Sequence, residues 1–188
     1  MKIAVYCGAA SGNNKIYEEV AVEFGKWMGT NNHVLIYGGG NVGLMGKLAD
    51  SVLDSGGEVI GVMPDFLIQR EIAHARLSEL ITVDTMSKRK QIMLEKSDIC
   101  VALPGGPGTL EEIVEAISWS RVGQSNNPCL FLNINNYYEG IKAFYKHMVD
   151  EGFLTVEDFE RIGFIDNFYD IEEFISNLDE IKIRKYSK

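Results

Sequence analysis

The chain is poor in the residues that build metal sites and disulfide frameworks, with three histidines and three cysteines among its 188 residues. The histidines are far apart, and no His-x-His or Glu-x-x-His spacing occurs. No metal ligation is therefore expected. Cys7, Cys100 and Cys129 lie in or beside apolar runs, as reduced core residues do. Basic charge is also short. Eighteen Lys and Arg stand against 27 Asp and Glu, a net charge of −9, which excludes the electrostatic footprint of a nucleic-acid or anionic-membrane partner. No apolar run reaches the length of about 18 residues that a membrane helix needs. The opening Met1-Lys2-Ile3-Ala4-Val5-Tyr6 reads as a strand rather than a signal peptide, so a cytoplasmic protein is expected. Linkers, repeats and low-complexity segments are missing too. Residues 1–188 are read as a single domain with a basic tail at 182–188 that frays.

What the chain does have is alternation. Strands are predicted near 2–7, 33–37, 58–63, 79–83, 98–103 and 128–133, with a weaker one near 163–165. Helices are predicted near 15–30, 43–55, 86–97, 109–122, 138–151 and 171–181, with a short one near 155–160. Continuous apolar strands separated by amphipathic helices imply an α/β, doubly wound, mainly parallel sheet with helices on both faces, a Rossmann-like fold. Such sheets bind ligands outside the carboxyl ends of their strands. Three glycine-rich turns follow three of the strands: Gly8 with Ser11 and Gly12, Gly38 to Gly43, and Gly105 to Gly108. They should converge on one crevice. Gly8, Ser11, Gly39, Gly40 and, just inside the next helix, Met45 are candidate ligand contacts there.

The most informative segment is 103–112, Leu-Pro-Gly-Gly-Pro-Gly-Thr-Leu-Glu-Glu. An apolar strand ends in a proline and three glycines, and a helical pattern starts at Thr109. A strand, a glycine turn and a helix N-terminus present unpaired backbone N–H groups that bind anions, above all phosphate. With Leu110, Ile113, Val114 and Ile117 taken as the core stripe, Glu112 points about 150° away from it at about 100° per residue. Trp119 falls near the same outward side, so a ligand or a second subunit is expected to cover it. Two familiar phosphate loops do not fit. A Walker loop needs Lys and Ser/Thr after its last glycine, whereas Thr109 and Leu110 follow Gly108. Gly38-Gly39-Gly40-Asn41-Val42-Gly43 meets the dinucleotide fingerprint formally, but the acid at the right count, Glu58, precedes its strand. The helix near 86–97 breaks a local rule. Asp84 or Thr85 should cap it, yet Lys88, Arg89 and Lys90 follow, where cations oppose the helix dipole. Arg89 is read either as a solvated charge or as the partner of a carboxylate or phosphate.

Pro104 to Glu112 matches the PGGxGTxxE motif of the lonely guy (LOG) family, cytokinin-activating phosphoribohydrolases long mislabelled lysine decarboxylases. The resemblance extends through Tyr6-Cys7-Gly8, Tyr37 to Gly46, Gly56 to Val62, Arg70-Glu71 with His74, Met86 to Lys90, and Trp119. It implies a Rossmann-like homodimer with its active site near the subunit interface. The implied reaction is hydrolysis of adenosine 5′-monophosphate, or its N6-substituted forms, to free base and ribose 5-phosphate, with no metal or cofactor. Glu112 and Arg89 then correspond to the catalytic pair. Glu71, Lys90, Gly105, Gly106, Pro107, Gly108, Thr109, Leu110, Glu111 and Ser118 correspond to substrate contacts. Ser87, Pro107 and Ser118 depart from the family's usual residues, around base or phosphate. Two other readings stay open: a nucleotide or cofactor carrier without turnover on the same fold, and the decarboxylase of the old label.

Overall fold

The computed structural model describes residues 1–68 and 73–178. Its centre is one seven-stranded sheet. In chain order the strands are β1 (Lys2–Tyr6), β2 (Val34–Tyr37), β3 (Glu58–Pro64), β4 (Glu79–Val83), β5 (Ile99–Ala102), β6 (Cys129–Leu132) and β7 (Ile162–Ile165). Their spatial order is β4-β3-β2-β1-β5-β6-β7, and every pairing is parallel. The chain winds outward from β1 to one edge, returns to β5, and winds to the other. Right-handed crossovers then place helices on both faces, and a crevice opens at the carboxyl ends of β1 and β5, where the direction reverses.

The helices are α1 (Ile16–Thr30), α2 (Gly43–Asp54), α3 (Asp65–Ile68), α4 (Met86–Lys96), α5 (Pro107–Arg121), α6 (Glu139–Asp150), α7 (Val156–Glu160) and α8 (Ile171–Ser176). Alternate strand residues feed two cores. Ile3, Val5, Leu35, Val59 and Val101 pack against Phe24, Met28, Leu48 and Val52 of α1 and α2. Ala4, Tyr6, Ile36, Ile60 and Ala102 pack against Met93, Ile113, Ala116 and Ile117 of α4 and α5. The predicted strands and main helices recur to within a few residues. One turn of helix, α3, is too short to leave a period in the sequence. Helix α5 begins two residues early, because Pro107 carries the φ that a first helical position needs. The helix predicted to 181 ends at Ser176 among the described residues; the tail at 182–188 lies outside them. Glu58 opens β3, at the end of the sheet away from the crevice.

One expectation about orientation is overturned. The buried side of α5 is Thr109, Glu112, Ile113, Ala116 and Ile117, rotated by roughly 80° from the predicted stripe at about 100° per residue. Val114 is 38% exposed, and Trp119 packs on the core that α4 shares with α5. The cover over Trp119 is therefore this chain's own core and neighbouring helix. Ile113 and Ile117 fit either of two adjacent faces, and the position of α4 selects between them.

Candidate active site

Helix α4 starts just past β4, and the Thr85 hydroxyl caps it by accepting from the Lys88 N–H at 3.1 Å. One turn in, Arg89 turns down toward the sheet instead of out to water. Its Nε donates to the Val62 carbonyl at 3.0 Å, and its Nη1 lies 2.9 Å from Glu112 Oε1. The third side of the guanidinium rests on Gly38, where an added Cβ would stand 2.0 Å from Nη2. A side chain at 38 and this arginine cannot occupy the same space.

Glu112 reaches the pair from the opposite side. The loop before α5 is tied at several points. Gly8 N–H donates to the Pro104 carbonyl at 3.1 Å, Tyr138 Oη to the Leu103 carbonyl at 2.6 Å, and Tyr137 Oη to the Gly105 carbonyl at 2.6 Å. At Gly105 a Cβ would meet Thr109 Oγ1 at 2.1 Å, so only glycine lets the loop fold back on the helix start. A Cβ at Gly106 or Gly108 would meet nothing, because both border open space. Gly108 and Thr109 fall in the first turn of α5, where backbone N–H groups lack intrahelical acceptors. Burial pushes the Glu112 carboxyl above its ordinary value, Arg89 pulls it back, and the net direction is up. Burial likewise pushes the neighbouring Cys7 thiol far up, helped by the Glu112 charge, so at neutral pH it stays a protonated thiol.

These groups line a cleft of about 310 Å³ bordered by Tyr6, Gly8, Gly38, Met45, Leu67, Met86, Arg89, Gly106, Gly108, Thr109 and Glu112. A second lobe of about 390 Å³ continues past Gly8 and Gly106 to Ser11, Gly12, Tyr17, Gly105 and Tyr137. The volumes suit a small organic molecule.

Of the residues singled out in the sequence, Gly8, Ser11, Met45, Arg89, Gly105, Gly106, Gly108, Thr109, Glu111 and Glu112 border one lobe or the other. Gly39 and Gly40 stand behind Gly38 rather than in the lining; Gly39 has φ +82°, and Gly40 bridges to Ala73. Lys90 stands outside the lining and pairs with Glu111, itself at the cleft edge, and with Glu115. Pro107 is exposed at the helix start, Leu110 is half-buried against the core, and Ser118 lies exposed on α5. Glu71 falls outside the described residues. Gly38 belongs to a turn expected at the crevice, but its contact with Arg89 was missed, as were Leu67 and Met86 in the lining and the two tyrosine anchors of the loop. Adjacent tyrosines just before a helix, outside its apolar stripe, were the available signal for the anchors.

A doubly wound sheet with a buried acid–cation pair at its switch point, beside a free helix N-terminus, defines a small-molecule site of the open α/β class. The chain belongs to the lonely guy family: the model described as a possible lysine decarboxylase matches residues 45–175. A cytokinin riboside 5′-monophosphate phosphoribohydrolase from Rhodococcoides fascians is 43% identical over 161 residues, covering 85% of this chain and 81% of that protein. One from Arabidopsis thaliana is 42% identical over 154 residues, covering 82% and 72%. Among solved structures, the molybdenum cofactor carrier protein of Chlamydomonas reinhardtii aligns with a TM-score of 0.71 over 94% of this chain and 98% of that one. At 20% identity that likeness is one of fold.

Proposed function

We propose that this protein hydrolyses the N-glycosidic bond of adenosine 5′-monophosphate or an N6-substituted form of it, releasing the base and ribose 5-phosphate. The observation that carries the reading is the buried Arg89–Glu112 pair, facing a cleft that also borders the start of α5. The relatives from Rhodococcoides fascians and Arabidopsis thaliana are named cytokinin riboside 5′-monophosphate phosphoribohydrolases, which supports the reading.

Glycosidic cleavage sends the electron pair of the C1′–N bond to the base and leaves positive charge on the ribose ring. Glu112 stabilises that charge as a carboxylate. It then accepts a proton from the water that adds to C1′, while the departing base takes one up from solvent. A pKa raised by burial brings the group nearer to that of a working general base, and Arg89 keeps enough of it ionised. The N–H groups of Gly106, Gly108 and Thr109, with the Thr109 hydroxyl, hold the 5′-phosphate. Gly8 and Ser11 border the same end of the cleft. Met45, Leu67 and Met86 offer the base an apolar wall. Glu71, Lys90 and Ser118 enter as substrate contacts on the family resemblance alone. Neither a metal nor a cofactor has a part in this scheme.

A carrier without turnover has no use for two charges buried against each other in its cleft, since taking them out of water is costly. Decarboxylation through a Schiff base needs a lysine, and the cleft lining contains none among the described residues. We propose also that the protein works in the cytoplasm as a homodimer. Three buried free cysteines suit a reducing compartment, and no described helix is long and apolar enough to cross a membrane. Val114 on α5 and Val122 just past its end, 38% and 55% exposed, leave apolar surface for a second copy to cover. The deciding experiment is an assay of ribose 5-phosphate release from AMP and N6-prenyl AMP. Nucleotide binding without release would favour the carrier.

A further inference from the structure

His74 is almost fully buried, 5% exposed, and takes no part in the proposed chemistry. Its Nδ1 accepts the Arg76 backbone N–H at 3.2 Å, so the proton of the neutral ring sits on Nε2 and is donated to Asp50 Oδ1 at 3.1 Å. Asp50 belongs to α2, and Arg76 reinforces the junction through Asp50 and Asp54. The backbone of the same segment grips the turn after β2. His74 N–H donates to the Gly39 carbonyl at 3.0 Å, and Ala73 bridges to Gly40, whose carbonyl also accepts from Tyr37 Oη at 3.1 Å. That turn begins at Gly38, the wall against the Arg89 guanidinium.

We infer that His74 is a positioning residue for the Arg89–Glu112 pair: by fastening residues 73–76 to α2, it sets where the Gly38–Gly40 turn stands against Arg89. The chain of contact runs from Asp50 through the imidazole to the backbone of 73–74, then through Gly39 to Gly38 and the guanidinium. A glycine turn with a positive φ at its middle has little stiffness of its own, so an external clasp must hold it. Freed of the clasp, the turn shifts and Arg89 loses one of its three walls.

The inference rests on the proposed hydrolysis for its kinetic readout only. His74→Ala should lower kcat for ribose 5-phosphate release from AMP by about tenfold or more, because small misplacements of a reacting group are costly. KM should stay within about twofold, since the phosphate grip on α5 is untouched. His74→Gln, which keeps an N–H donor toward Asp50, should restore most of kcat. The rate at which phenylglyoxal labels Arg89, read by peptide mass spectrometry, should rise severalfold in His74→Ala and return in His74→Gln. If the alanine variant fails to fold, Asp50→Ala removes the acceptor from the half-exposed surface of α2 and should give the same labelling change. Wild-type kcat and wild-type labelling in a folded variant would overturn the inference. If the wild-type protein releases no ribose 5-phosphate, the reading of function falls, and the Arg89 labelling rate still decides the clasp.

Discussion

Arg89 Nη1 and Glu112 Oε1 stand 2.9 Å apart, and each residue is less than a tenth exposed. The arginine comes from the first turns of α4 and the glutamate from the early turns of α5, and the guanidinium also reaches the Val62 carbonyl of β3. Neither charge is tolerable there alone. A buried pair is weak support for a fold, and its members survive burial only by meeting each other and a backbone carbonyl. Two charges kept in a cleft at that cost point to chemistry.

Replacing Glu112 by Gln should remove most turnover, in the range of 10²–10⁴-fold typical of general acid–base groups. The pH dependence of stability should change too. Burial raises the folded-state pKa of Glu112, so the folded state binds its proton more tightly than the unfolded chain does. The associated stability is full below the ordinary glutamate pKa of about 4.3 and is lost as pH rises through the higher folded value. Glu112→Gln should therefore lose less Tm than wild type as pH is raised from 4 to 7. Thermal melts across that range check it. A steeper loss in the variant would show that the attraction of Arg89 outweighs burial and holds the carboxylate ionised.

Arg89→Lys should behave almost as badly as Arg89→Ala. The lysine keeps the charge but lacks the planar fork that reaches the Val62 carbonyl and Glu112 together. Without a cation beside it the Glu112 pKa climbs further, so the acid limb of the kcat/KM profile should move to higher pH in Arg89→Ala, and by less in Arg89→Lys. Initial rates from pH 4 to 9 measure it. An unmoved limb with unchanged kcat/KM would show that Arg89 has no part in turnover.

Gly38→Ala tests the wall behind Arg89. The new methyl would stand 2.0 Å from Nη2, and the flexible side chain must yield. Overpacking of this kind costs about 1–3 kcal/mol, so the variant should fold with a lowered Tm. Activity should fall further than stability does, because the group displaced is the cation beside Glu112. Wild-type kcat in Gly38→Ala would show that the position of Arg89 is not critical.

Adenosine should be a far poorer substrate than AMP. Hydrogen bonds to a charged group contribute about 1.5–3 kcal/mol each. Losing two or three of those at the start of α5 lowers kcat/KM by about 10²-fold or more. Altering the N6 substituent should matter less, since an apolar pocket discriminates by about 1–3 kcal/mol per methylene. Steady-state kinetics on AMP, adenosine and N6-prenyl AMP decide it. Cleavage of adenosine within about tenfold of AMP would mean that the loop does not grip phosphate.

By itself the sequence determined the alternation of strand and helix, the parallel sheet and the end of it that carries the site. Continuous apolar runs and glycine clusters are local signals, and a doubly wound sheet forces turns after its strands to one edge. The cationic start of α4 was legible for the same reason, as a charge where the dipole disfavours it. Which way α5 faces was not legible. Ile113 and Ile117 belong to both of two adjacent faces and Val114 to only one, and the packing of α4 and Trp119 chose the face that buries Glu112. The clasp of His74 on Asp50 and the wall of Gly38 on Arg89 were likewise invisible, because each joins segments that the sheet order alone brings together. Periodicity describes one element at a time, whereas a buried ion pair is a property of two elements and the sheet between them, so only the tertiary structure could decide it.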